Sequence, residues 1–375
     1  MLGAGFSATA GLPMAAELWR EILSRGLAME GRAEKFREDL DAYLAFRSAS
    51  DRVKLTYEEV DLEAFLGFLD IEHHLGLRGK DQWSEQGNEG QIIVKTLIGQ
   101  VLTERTPGED AIPRLYLDFA RKLRPHDRII TFNYDILLER ALKSAGVPFR
   151  LFPDRLRAVY DSYAEVDNDA EEVVILKVHG SVDWFDKLPF LELVENAQRL
   201  GTKPEHVRDP VFGQSARWTL TQLVDGPRHG DDPLRETYRL KEVEEFYARP
   251  PLFLGVPSLI SPSTEKLIYT SMVRDFWWGL GQAGVTNMRL VIIGYSLPLH
   301  DDYARQVLYR LADNYQSASS DWANFLKTTR DPILVVDKRG DPEGFALLKE
   351  RYRFIDWRKA ELHAAGFDQA IVDRL

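Results

Sequence analysis

Short, almost wholly apolar runs alternate along the chain with longer stretches whose apolar residues recur every three or four positions. The runs at 128–132, 172–178, 290–293 and 333–336 are bounded by polar turns and do not alternate in polarity. That is the pattern of strands buried on both faces. Helical patterns follow three loops: MAAELWREILSRG after the opening GAGFS, ILLERALKSAG after TFNYD, and DDYARQVLYRLADNY after GYSLP. Pro13 stands near the start of the first, where a missing N–H costs nothing, and Gly26 and Gly146 mark expected ends. Strand and helix in repeated succession predict an α/β fold, a parallel sheet with helices on both faces.

Two regions depart from this alternation. Residues 28–125 read as helical, with EEVDLEAFLGFLDIEHHLGL and GQIIVKTLIGQVLTER carrying apolar side chains at helical spacing. Residues 186–287 are rich in Pro, Arg and aromatics and end in the helical MVRDFWWGLGQ. The expected organisation is a core built from 1–27, 126–185 and 288–375, a helical insertion at 28–125, and a mixed insertion at 186–287. Trp277 and Trp278 read as core or subunit contact rather than a base-stacking platform. The first strand is the exception to the pattern, because only Met1 and Leu2 precede Gly3. A buried strand usually runs about five residues. The expectation is an N-terminus lying inside the first strand, truncated or cut to a stub, with the glycine loop less rigidly held for it.

At 375 residues the chain is long for one compact core. It has no cysteine, which removes disulfides, thiolate nucleophiles and cysteine zinc modules. A net charge of −11 argues against direct nucleic-acid binding. No apolar run approaches the roughly 20 residues that span a bilayer, and no signal-peptide pattern opens the chain, so a cytoplasmic protein is expected. HExxH, EF-hand and P-loop patterns are missing, and no metal is expected.

Four strand-end blocks carry the candidate chemistry. Gly3-Ala4-Gly5-Phe6-Ser7 could cradle phosphate at a helix N-terminus, and alone reads equally as a tight turn. In Thr131-Phe132-Asn133-Tyr134-Asp135, the Asn and Asp could hold a ribose and a carboxamide. Alone, the block reads better as an Asx turn with Asp135 capping the next helix. His179, at a strand end before Gly180, could act as a general base; seven other histidines, among them His73, His74 and His300, compete for that reading. Gly294-Tyr295-Ser296-Leu297-Pro298 could meet a ribose or phosphate, with Asp301 capping the helix beyond it. Asp337 ends a further strand and could reach an adenosine hydroxyl or start a turn.

Taken together and in order, GAGFS…GLP, TFNYD…LE, KVHGS, and GYSLP with a later V-x-D strand end resemble the Sir2 (sirtuin-like) superfamily. The specific likeness is to bacterial SIR2-domain NADases of antiphage defence. The resemblance implies a Rossmann-like core with NAD as substrate. It implies that Gly3, Ala4, Gly5, Phe6 and Ser7 hold the pyrophosphate, and that Asn133 contacts the nicotinamide ribose. It further implies that Asp135 meets the carboxamide, that His179 is the catalytic base, and that Gly294, Ser296 and Asp337 line the adenosine side. A homo-oligomer and a separately encoded partner such as a HerA-like ATPase are implied in the same way.

Departures from the deacetylase sirtuins bear on the acceptor. Their G-I-P-D-F-R stretch is replaced by Gly11-Leu12-Pro13-Met14-Ala15-Ala16, and a four-cysteine zinc ribbon is impossible here. Water is then the expected acceptor. Cleavage of the nicotinamide–ribose bond expels a neutral leaving group, so no general acid is required, and the transition state is oxocarbenium-like. The expected activity is hydrolysis of NAD⁺ to nicotinamide and ADP-ribose. The alternative is a module that senses NAD or ADP-ribose without turnover; a protein deacylase or ADP-ribosyltransferase is disfavoured.

Overall fold

A computed structural model describes residues 1–77, 88–201, 203–248, 255–260, 274, 276–278, 280, 284, 285, 287–298, 301–317, 330–339 and 341–375. Its strands are β1 (Arg128–Thr131), β2 (Phe149–Arg150), β3 (Leu156–Val159), β4 (Ala164–Val166), β5 (Val173–Lys177), β6 (Trp184–Asp186), β7 (Leu220–Gln222), β8 (Thr237–Leu240), β9 (Val291–Ile293), β10 (Ile333–Val336) and β11 (Ala360–His363). The helices in the first half of the chain are α1 (Ala4–Ala8), α2 (Ala15–Ala28), α3 (Ala33–Ser50), α4 (Leu62–His74), α5 (Glu89–Arg105), α6 (Arg114–Lys122) and α7 (Leu137–Ala145). They are followed by α8 (Leu188–Arg199), α9 (Val243–Ala248), α10 (Asp302–Ser317), α11 (Pro342–Arg351) and α12 (Gln369–Arg374).

The main sheet is parallel, with helices on both sides. One half runs β2-β5-β1 and the other β9-β10-β11. Leu2 joins them, bridging Thr131 on one side and Ile293 on the other, both in parallel sense. Four amide hydrogen bonds make the joint, and the Met1 amine adds a fifth by donating to Val291 O at 2.6 Å. Leu2 N–H donates to Ile130 O at 2.8 Å and Phe132 N–H to Leu2 O at 2.9 Å, while Gly3 N–H donates to Ile293 O and Ile293 N–H to Met1 O, both at 2.9 Å. Counted along the chain with Leu2 first and the edge strand β2 set aside, the order is 3-2-1-4-5-6, the dinucleotide-binding arrangement. The Rossmann-like α/β expectation therefore holds, with Leu2 bridging in the place of the first strand.

The runs read as buried strands are β1, β5, β9 and β10, and the residues of β5 and β10 are all buried. Neither β2 nor β11 was expected. β2 is only two residues long, and β11, with sequence AELH, has no residue fully buried. An edge strand covered on one side need not carry an apolar run. Gly146 ends α7 in the left-handed region (φ 69°), as anticipated. Gly26 stands near the end of α2, as anticipated, and a Cβ there would sit 2.4 Å from the Phe36 ring, so the glycine also admits α3.

Helices α3 to α5 realise the helical stretch, with Asp61 and Asn88 capping α4 and α5 through bonds of 2.8 Å to the amides of Ala64 and Gln91. α5 is buried around most of its circumference, including Ile92, Ile93, Val94, Leu97, Ile98 and Val101. A single cluster of buried residues runs through these helices and the sheet. In the later stretch, β6, β8 and β7 form a small antiparallel sheet. Of the tryptophan pair, Trp277 packs partly buried against the core, 6.2 Å from the Phe132 ring, whereas Trp278 is 82% exposed. Most of the helix read at 272–282 lies outside the described residues, as does His300. Among the described residues, no helix is long and apolar enough to cross a membrane.

Candidate active site

In open α/β sheets ligands bind beyond the carboxyl ends of the strands, where the order reverses. Here that point lies between Leu2 and β9, and the loops leaving them touch. Gly294 has φ 62°, and a Cβ on it would lie 2.4 Å from Gly5 Cα. A Cβ on Gly3 would lie 2.6 Å from Gly294 O, and one on Gly5 2.7 Å from Gly294 Cα. Close approach of two backbones thus demands all three glycines. The contact also uses up amides: Gly5 N–H donates to Gly294 O and Phe6 N–H to Gly3 O, each at 2.9 Å.

A cavity of about 380 Å³ opens beside this contact. That volume is within the usual range for small-molecule sites. Of the residues singled out from sequence, Ala4, Ser7, Asn133, Asp135, His179, Gly294 and Ser296 line it. Gly3, Gly5, Phe6 and Asp337 are not in its wall. Phe6 points into the core, where its ring meets Tyr116 edge-on at 5.1 Å, and its carbonyl accepts from the Tyr116 hydroxyl at 2.6 Å. Asp337 is paired with Arg339 at 2.9 Å; burial pushes its carboxyl up, with Arg339 opposing.

Asn133 ties the second block to the first. Its Nδ2 donates to Gly3 O and to Ser7 Oγ, both at 3.0 Å. Asp135 accepts from the Leu137 amide at 3.0 Å, the Asx turn read for it, while the N-cap position of α7 falls to Ile136. Its carbonyl accepts from Lys177 Nζ, which also pairs with Glu139 at 2.7 Å, wholly inside the protein. Burial pushes the Glu139 carboxyl up, and Lys177 opposes the shift. Close by, Asp183 accepts from Ser181 Oγ at 2.6 Å and from Arg239 at 3.0 Å. Burial works against its charge, but Arg239 and Lys177 outweigh it and hold the Asp183 carboxyl below the ordinary range.

His179 leaves β5 through Val178 and is followed by a turn only glycine can make: Gly180 has φ 79°, and a Cβ there would strike Ser258 O. The imidazole is buried, with the Phe132 ring edge-on at 5.2 Å. Its Nε2 lies 3.3 Å from Asp301 Oδ2, and that oxygen also accepts from the Tyr295 hydroxyl at 2.8 Å. The other Asp301 oxygen accepts from Ala304 N–H at 3.3 Å, capping α10. Burial first, then the charge of Asp301, raises the Tyr295 hydroxyl well above its ordinary range, which keeps it a donor. Tyr295 in turn stacks on Phe132, centroids 3.8 Å apart and planes within 2°. One stack thus links the loops after β1 and β9 directly below the histidine.

Sequence reading missed several of these groups. It took Asp301 for a cap alone, because a cap and a histidine partner look identical before a helix. Glu63 and Arg351 line the cavity from α4 and α11, distant in sequence from any recognised block. Among the described residues, no group of three or more His, Asp or Glu could hold a metal ion.

A dinucleotide-type strand order, with a largely apolar cavity at its switch point that carries a few polar groups, defines the class: an α/β protein built to hold a nucleotide at the strand ends. Residues 127–256 match the family model of the SIR2-like domain. The matched stretch contains TFNYD and KVHGS, and it bears out the resemblance to the Sir2-like superfamily, whose substrate is NAD. The glycine loop and the Gly294 block lie outside the match. No curated protein matches the chain.

Proposed function

We propose that the protein hydrolyses NAD⁺ to nicotinamide and ADP-ribose. The observation that carries this reading is the convergence of Ser7, Asn133, His179 and Ser296, from four separate chain segments, on one cavity at the sheet's switch point. His179 has the proton acceptor's surroundings: an apolar ring on one side and a buried carboxylate, Asp301, on the other. In this role it removes the proton from the attacking water. Asn133, anchored to Gly3 and Ser7, orients the ribose end, and Asp135 is the candidate partner of the carboxamide. Ala4, Ser7 and Gly294 line the dinucleotide's path, and Asp337 sits beyond it, held by Arg339. The proposed core comprises 1–27, 126–185 and 288–375, with insertions at 28–125 and 186–287. The wider setting follows the same resemblance: a cytoplasmic effector of antiphage defence, oligomeric, answering to a separately encoded partner such as a HerA-like ATPase.

The test is free nicotinamide released from NAD by wild type, His179→Ala and Asn133→Ala, with NAD binding measured in parallel. General-base action is worth about 10²–10⁴-fold, and the His179→Ala loss should fall in that range. Binding without nicotinamide release by wild type, with and without neighbouring gene products, would favour the sensor alternative.

A further inference from the structure

We infer that Arg351 is the phosphate-binding side chain of this cavity, taking the diphosphate of the dinucleotide from the end of α11. The inference rests on the reading of the cavity as a dinucleotide site, and it assigns a task that the glycine loop leaves open. Of the loop's amides, Gly3 N–H is spent on Ile293 O, Gly5 N–H on Gly294 O and Phe6 N–H on Gly3 O. Most of the wall is apolar, and its carboxylates, Asp61, Glu63 and Asp135, would repel a diphosphate. Arg351 is the one lysine or arginine among the described residues of that wall. A diphosphate entering there meets several carboxylates and a loop with few free donors, so a cation is needed to hold it.

The arginine is set for the task. Its Nη1 donates to Ser296 O at 3.0 Å, which leans the guanidinium over the loop after β9. Its Nε is buried with no hydrogen-bond partner among the described residues. The neighbouring Tyr352, fully buried, donates its hydroxyl to Tyr295 O at 2.7 Å and pins the end of α11 to the same loop. An arginine held at one nitrogen, with others left over, offers the planar fork that phosphate oxygens match.

Calorimetric titration of ADP-ribose and of adenosine, which lacks phosphate, tests this on wild type, Arg351→Gln, Arg351→Lys and the control Arg353→Gln. Arg353 is exposed and pairs with Glu350, outside the cavity wall. Wild type should bind ADP-ribose more tightly than adenosine. Arg351→Gln should weaken ADP-ribose by about ten- to a hundredfold and leave adenosine within about twofold, as expected for a lost charged hydrogen bond. Arg351→Lys should fall between, and Arg353→Gln should match wild type. ADP-ribose binding by Arg351→Gln within about twofold of wild type overturns the inference alone. So does wild type that binds ADP-ribose no more tightly than adenosine, a comparison that needs no variant to fold. Wild type that binds neither ligand overturns the dinucleotide reading itself.

Discussion

Replacing Lys177 by Met would remove one buried ammonium and nearly nothing else. Lys177 has 0% exposure, and its Nζ pairs with Glu139 at 2.7 Å while donating to Asp135 O. Met fills similar volume without charge, so the loss is electrostatic. Glu139 would remain buried with its counter-ion gone, and Asp183 would lose one of the two cations that favour its charge. Breaking a buried pair from one side typically costs about 3–5 kcal/mol. Glu139 can escape part of that cost by taking a proton, which gives the prediction a pH signature. Burial already holds its carboxyl above the ordinary value, against the pull of Lys177. A carboxyl whose folded value exceeds its unfolded one binds extra proton in the folded state, so stability falls as pH climbs from the unfolded value towards the folded one. Loss of Lys177 raises the folded value further. Urea unfolding should therefore show a gap between wild type and Lys177→Met that widens as pH rises above the ordinary carboxylate range. Adding Glu139→Gln should recover more than half of it, since no buried charge is then left alone. A gap below about 1 kcal/mol that is flat with pH would refute the reasoning.

Other consequences are as direct. Asp301→Asn leaves His179 beside an amide instead of a carboxylate, and nicotinamide release should fall at least about tenfold while NAD binding persists. Gly294→Ala places a Cβ against Gly5 at a positive φ. It should cost at least about 1–3 kcal/mol in denaturant unfolding and raise the KM for NAD. Phe132→Leu removes the stack on Tyr295 and should lower the thermal midpoint by more than a conservative core swap does, through about 0.5–1.5 kcal/mol of ring pairing.

Much of this molecule is readable from its chain because buried parallel strands leave apolar runs, and strand ends place short polar blocks next to them. TFNYD, KVHGS and GYSLP could be found as candidate chemistry for that reason alone. What the pattern conceals is long-range pairing. Nothing in the residues around Arg351 signals that α11 returns to the loop after β9, and nothing near Lys177 announces Glu139 as its partner. Single residues with two tasks are concealed as well: Asp135 and Asp301 each satisfy a helix end, and the cap accounts for them before the site does. The glycines carry a second message beside the one first read. They are also the imprint of two loops packed backbone to backbone, and the Phe6 ring anchors one of those loops in the core.

The Leu2 joint has a mechanical meaning. The two halves of the main sheet share no direct strand-to-strand ladder among the described residues; they meet through one short segment, with the Gly3–Gly294 contact and the Phe132–Tyr295 stack above it. A molecule lying across the cavity would touch Asn133 and His179 on one half and Ser296 and Arg351 on the other, and so act as a tie across the seam. Occupancy would then be felt as stiffness: hydrogen exchange at Leu2 and Ile293, outside the cavity wall, should slow when ADP-ribose is bound. Sheet and ligand in that case form a single mechanical unit, and the ligand closes the line along which the two halves meet.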